Sequence, residues 1–179
     1  MRGIIGYGTY VPYYRLDRSK ITAAMGTGGG RGHRAVASYD EDTTTMGVEA
    51  ARNALDASSV TPSSIWFATA NPAYLDKTNA TAIQAALDLP QETWAVDAGG
   101  AARSAEAAIR GAMGTTGISM AVASDLRTGN PTSNDESGGG DAAAALLFGD
   151  EEDAPVIAQP LGVAASTGEF LDRYRLPGE

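Results

Sequence analysis

Residues 93–113 read TWAVDAGGAARSAEAAIRGAM. Thr93 to Val96 reads as a short strand. Asp97-Ala-Gly-Gly then reverses the chain, and glycine lets the backbone turn that sharply. Ala101 to Met113 is an alanine-rich helix that closes near Gly114. Asp97 reads as a helix cap or a partner for backbone amides, ahead of any chemical role. Strand, four-residue turn and helix in immediate succession are the repeating step of a layered α/β fold.

The same step recurs in both directions. Gly3 to Val11 is a strand closed by Pro12, and Asp17 caps a short helix running to Met25. The run Ile65–Ala70 is compact and apolar, as a buried strand requires. Asn79 to Leu87 is helical and stops at Pro90. Ile118–Ser124 and Ala142–Phe148 are two more buried strands, and Val156–Ala165 is read as a sixth. Between them, a helix begins at Asp40-Glu41-Asp42, where acids suit a helix N-terminus. Met46, Ala50 and Ala54, with Val48, Ala51 and Leu55, give it an apolar face. Strands alternating with helices predict a mostly parallel sheet. The stretch Thr128–Gly140 is too polar for a core and long enough to have a function or a partner.

Composition narrows the function. Of 179 residues, 43% are hydrophobic, enough for one globular domain. Thirteen basic residues stand against twenty-two acidic ones, a formal charge of −9. That balance argues against nucleic acid as a partner. The chain has no cysteine. A disulfide framework, a thiolate metal site and a cysteine nucleophile are thereby excluded. No apolar run approaches the ~18 residues of a membrane span. The N-terminus lacks a signal peptide's continuous apolar stretch, so a cytoplasmic protein, away from membranes, is expected. A dinucleotide fingerprint, a P-loop and paired metal-binding histidines are missing, and no metal or bound cofactor is expected.

Four segments carry a family resemblance: GIIGYGTYVPYYRL (3–16), YDEDTTTMGVEAARNAL (39–55), DAGGAARSAEAAIRGAM (97–113), and GGDAAAALLFGD (139–150) followed by STGEFLDRYR (166–175). In this order and spacing they resemble the 3-hydroxy-3-methylglutaryl-CoA synthase and ketoacyl synthase III branch of the thiolase superfamily. The resemblance implies a thiolase-like half across residues 1–179, with a five-stranded mixed sheet sandwiched by helices. Members have two such halves, and only the first is matched, so the chain is expected to be a fragment of a longer protein. It also implies acyl-CoA as ligand, coenzyme A being part of the substrate rather than a cofactor. A homodimer is implied too, built across the Thr93–Val96 strand.

The family's nucleophile is a cysteine at the N-terminus of the central helix, where the dipole stabilises a thiolate. Anchoring on Arg110 puts Ala102 in its place, and shifting by one residue gives Ala101 or Arg103. The family's glutamate position falls near Thr69; Asp76 is the only carboxylate of residues 67–78. The family's histidine belongs to the other half. Cysteine-free homologues perform retro-aldol cleavage and work with an OB-fold partner that binds acyl-CoA. The resemblance therefore implies carbon–carbon bond formation or cleavage beside a thioester. The alternative is a non-catalytic acyl-CoA-binding scaffold working with an OB-fold partner.

Substrate-contact candidates are few. Arg31 and Arg34, on the glycine-rich loop 26–34, suit a CoA phosphate; the other reading of that loop is a solvated surface. His33, the single histidine, reads as solvated. Arg103 is placed to reach a thioester or phosphate, or to pair with an acid. Asp125 and Arg127 follow a strand's C-terminal end, where α/β folds place sites, or they pair with each other. Asn134 to Ser137 either border the substrate or form an acidic loop. Tyr7, Tyr10, Tyr13, Tyr14 and Tyr39 read as core and interface packing.

Overall fold

The computed structural model describes residues 1–101 and 103–166. The strands are β1 (Gly3–Tyr10), β2 (Tyr14–Asp17), β3 (His33–Val36), β4 (Ser64–Ala68), β5 (Trp94–Asp97), β6 (Ser119–Asp125) and β7 (Ala142–Gly149). The helices are α1 (Arg18–Met25), α2 (Thr43–Ser58), α3 (Asn79–Ala86), α4 (Ser104–Gly114) and the one-turn α5 (Asn134–Gly138). Five strands form one sheet in the order β1-β7-β6-β4-β5. The expected five-stranded mixed sheet between helices is therefore present. It is less parallel than strand–helix alternation predicts. β1, β6, β4 and β5 run in one direction, but only β6–β4 and β4–β5 are parallel neighbours, because β7 lies antiparallel between β1 and β6. β6 reaches β7 through residues 126–141, which carry only the five-residue α5, and β7 returns antiparallel beside β6.

Side chains alternate between the two faces of the sheet. Ile65, Phe67, Met120, Val122, Ala145 and Leu147 face α2 and α3 and form the larger core. Ala68, Ala121 and Phe148 face α4, with Ala108 and Ala112 from that helix. Small residues set the spacing. Gly8 lies so close to the backbone of Ala50 and Ala54 on α2 that a Cβ there has no room. Gly111 of α4 packs on the ring of Trp66, again with no room for a methyl group.

The helix ends are satisfied as the sequence suggests, with one addition. Asp17 caps α1 through the Ser19 amide, and Asp42 makes a capping box with Thr45. The C-terminus of α4 is held by Arg2, whose guanidinium donates to the carbonyls of Ala112 and Met113 at 3.1 and 2.8 Å. A cation there complements the dipole.

Three expectations are corrected. The loop 26–34 is not wholly irregular, because His33–Val36 pairs antiparallel with Tyr14–Asp17 as a separate ribbon. Val156–Ala165 is not a sixth strand; one bridge, Ile4 to Ala158, joins it to β1. Arg34 is not held open on the loop surface. It is buried, and its guanidinium meets the Asp141 carboxylate at 3.2 Å with both side chains nearly inaccessible. It also donates to the carbonyls of Glu136 and Arg127 at 2.7 and 2.5 Å. Asp141 accepts from the amides of Arg127 and Ala37, each at 2.8 Å.

Breaking a buried pair leaves an uncompensated charge, so Asp141→Ala is expected to lower unfolding free energy by about 3–5 kcal/mol. Arg31→Ala, on the exposed loop, is expected to change it by less than about 0.5 kcal/mol. Urea denaturation of both variants checks this.

Tyr10 supplies a pH marker. Its hydroxyl donates to Glu41. That bond, then burial, then the charges of Glu41, Glu49 and Asp40 push its pKa from 10.0 up to about 12. A folded pKa above the unfolded one means the contribution to stability is complete below pH 10 and fades as pH climbs towards 12. Spectrophotometric titration is expected to show a late-ionising tyrosine that disappears in Tyr10→Phe.

Candidate functional site

The C-terminal ends of β4 and β6 and the first turn of α4 come together at one edge of the sheet. Three clefts meet there. The first, about 170 Å³, is lined by Phe67, Thr69, Pro72, Leu75, Asp97 and Gly99, among others. The second, about 20 Å³, is lined by Ala68, Thr69, Ala70, Ala101, Ala105, Ala123 and Asp125. The third, about 260 Å³, is lined by Ala70, Asn71, Leu126, Arg127, Thr128 and Asp135. Thr69 is shared by the first two and Ala70 by the last two. The edge is thus one groove, apolar at one end, alanine-walled in the middle and polar at the other.

Local hydrogen bonding fixes each wall. Asp97, at the end of β5, accepts the amides of Asn79 and Ala80 at 2.8 Å each and so caps α3. This is the amide-binding role read from the sequence. Asn79 is buried, and its side chain bonds Asp97, Thr44 and both backbone groups of Tyr74. That network pins residues 71–78 over the apolar end.

In the middle, Oδ1 of Asp125 accepts the Ala70 amide at 2.7 Å and the Thr69 hydroxyl at 3.2 Å. Thr69 accepts the Asn71 amide at 3.0 Å. Thr69 is therefore a structural hydroxyl that orients a carboxylate. Asp76 is exposed and lines none of the three clefts.

At the polar end, the Arg127 backbone is tied to Asp141 and Arg34, and its side chain lines the cleft. Arg127 makes no ion pair with Asp125 among the described residues. Arg31 is exposed on the ribbon's loop. That loop abuts Thr132 at Gly28, so it neighbours the loop bearing Arg127. Arg103 is exposed and donates to the Ser166 carbonyl at 2.6 Å, which directs it along the C-terminal segment. His33 is exposed in the ribbon, in register with Asp17. Asn134 to Ser137 lie in α5, which Ser133 caps through the Glu136 amide. Ala102 and residues 167–175 lie outside the described residues.

A larger apolar cleft, about 490 Å³, lies on the far side of α4 against Ile4, Leu146, Phe148 and residues 158–163. Its charged groups, Glu106 and Arg110, pair with each other at 3.0 Å, leaving it without a free reacting group. Among the described residues, no cluster of three metal-ligating side chains occurs and no helix is long and apolar enough to cross a membrane. The sequence missed two parts of the site: the anchoring of Asp125 on residues 69–70, and Asn79. A buried-sized polar residue opening a helix four residues past Leu75 was the available signal for the second.

No family model matches the chain. It is 36% identical over 138 residues to the hydroxymethylglutaryl-CoA synthase of Pyrococcus furiosus, covering 72% of this chain and 39% of that protein. It is 32% identical over 192 aligned positions to the enzyme of that name from Methanothermobacter thermautotrophicus, covering 99% of this chain and 56% of that one. The chain thus spans about half the length, or less, of the curated relatives it matches. The fold is like that of 3-oxoacyl-(acyl carrier protein) synthase III from Pseudomonas aeruginosa, with a TM-score of 0.72 and 21% identity over 82% of this chain and 51% of that one. It is also like a hydroxymethylglutaryl-CoA synthase solved with CoA, with a TM-score of 0.70 and 18% identity over 84% of this chain and 42% of that one. With the ordered motifs, the five-stranded sheet and the relatives in agreement, the chain belongs to the hydroxymethylglutaryl-CoA synthase and ketoacyl synthase III branch of the thiolase superfamily.

Proposed function

We propose that this chain binds an acyl-CoA in the groove across the ends of β4 and β6 and serves carbon–carbon bond formation or retro-aldol cleavage beside the thioester. The observation that carries the reading is the groove's polarity. An apolar end and an alanine-walled centre suit an acyl group. The polar end, with Arg127 and the neighbouring Arg31 loop, suits the phosphates of CoA. Because the chain has no cysteine, a cysteine-bound acyl intermediate is not part of the proposal. The same absence favours a second reading, an acyl-CoA-binding scaffold that works with an OB-fold partner. A cytoplasmic setting belongs to both.

Calorimetry with CoA and acetyl-CoA tests the shared element. Binding is expected to weaken roughly tenfold in Arg31→Ala and in Arg127→Ala, each losing a charge-assisted contact of about 1.5 kcal/mol. Unchanged affinity in both variants would remove the phosphate end from the groove.

We also propose a homodimer across β5. This strand is an edge of the sheet, and an exposed edge pairs readily with another strand. It carries Trp94, half exposed and packed edge-on to Trp66 at 4.8 Å. Light scattering of the wild-type chain is expected to give a mass above the monomer, and Trp94→Lys to reduce it. A monodisperse wild-type monomer would overturn this assembly.

A further inference from the structure

We propose that Asp125 is the proton-transfer group of this site, acting on the carbon next to the thioester carbonyl of a short acyl chain. The inference rests on the acyl-thioester reading above and adds a catalytic residue to it.

Among the described residues, Asp125 is the only carboxylate lining the central cleft. Its Oδ1 is fixed by the Ala70 amide and the Thr69 hydroxyl. Its Oδ2 takes no hydrogen bond from the described residues, so one lone-pair face is left for a substrate. The other described residues around that cleft are alanines and Thr69, and none of them can move a proton to or from carbon. A carboxylate held by one oxygen beside an apolar wall is the arrangement a general base requires: it is oriented, and it is only partly solvated. The cleft's volume, about 20 Å³, admits a group little larger than a water molecule, such as a methyl. That suits the methyl of a two-carbon acyl unit. Ala105 in the first turn of α4 and Ala101 just before the helix line the same cleft, and the helix's N-terminal dipole favours negative charge there.

The step balances without a co-reactant. Oδ2 takes a proton from the α-carbon, and the C–H electron pair moves into the C–C bond as the carbonyl π pair moves to oxygen. The products are a neutral Asp125 carboxylic acid and a thioester enolate. Return of the proton restores both. Run in retro-aldol sense, the carboxylate takes the proton of a β-hydroxyl, the Cα–Cβ bond breaks to give a carbonyl compound and the enolate, and the same proton then returns to Cα.

The test is exchange of the acetyl-CoA methyl protons in deuterium oxide, read by mass spectrometry, with the full chain. Asp125→Asn keeps an oxygen acceptor for the Ala70 amide and the Thr69 hydroxyl, so the fold and the cleft are retained; circular dichroism and calorimetric binding of acetyl-CoA verify that. The wild type is expected to exchange faster than buffer, and Asp125→Asn to lose roughly a hundredfold or more with binding retained. Exchange at the wild-type rate in Asp125→Asn overturns the inference, as does a wild type that binds acetyl-CoA but exchanges no faster than buffer. A wild type that does not bind acetyl-CoA overturns the acyl-thioester reading beneath it as well.

Discussion

The buried contact between Arg34 and Asp141 is what the loops around the groove depend on. It joins residues 107 apart in the chain, and almost no water reaches either side chain. Burying two charges costs several kcal/mol per ion, so such a pair survives only where its remaining donors and acceptors are used. Here they are. The guanidinium meets the carbonyls of Arg127 and Glu136, and the carboxylate meets the amides of Arg127 and Ala37. Those backbone groups belong to connecting segments without sheet partners. Two side chains thereby supply the hydrogen bonds that a strand ladder gives elsewhere. The β2–β3 ribbon, the loop after β6 and the start of β7 are fixed relative to one another. Arg127 owes its place on the groove to that fixing.

Close packing supplies the second constraint. Gly8 against α2 and Gly111 against Trp66 bring helix and sheet backbones nearer than larger residues allow. Alanines continue the theme on β7, on α4 and around the central cleft. Interiors packed this tightly leave few voids. A cleft at the strand ends is therefore shaped by backbone more than by bulky side chains. That explains how a space about the size of one small group persists between β4, β6 and α4.

Much of this was legible in the sequence, and the pattern of what was not is instructive. The segment TWAVDAGGAARSAEAAIRGAM gave its strand, turn and helix because each is set by residues within a few positions of it. Asp17 and Asp97 were readable as amide partners, and Asp42 as a helix-start acid, for the same reason, although the helix that Asp97 caps is α3 rather than the one that follows it. The β2–β3 ribbon was missed because its strands are four residues each and separated by a glycine-rich loop, so neither has a pattern of its own. Val156–Ala165 has a strand's composition but finds only one bridge on the β1 edge. Arg34 looked like half of an anion-binding pair with Arg31; its acid lies 107 positions further along the chain, and nothing near it in sequence announces a partner.

On the proposed acyl-thioester reading, the absence of a thiol from the chain changes which chemistry the groove would support. Acyl transfer through the enzyme needs a nucleophile on the wall, and alanines offer none. Proton transfer at carbon needs only a base held still beside the substrate, and a strand-end carboxylate tied by a backbone amide is held as still as the sheet itself. The Thr69 hydroxyl contributes to the same end: it fixes Oδ1 of Asp125 while its own oxygen accepts from Asn71, so orientation passes from backbone to hydroxyl to carboxylate. A site can thus lose its covalent step and keep the geometry for making and collapsing an enolate. Those are the two events shared by condensation and retro-aldol cleavage. Which direction runs is then decided by the substrate's β-carbon, a carbonyl in one case and a carbinol in the other.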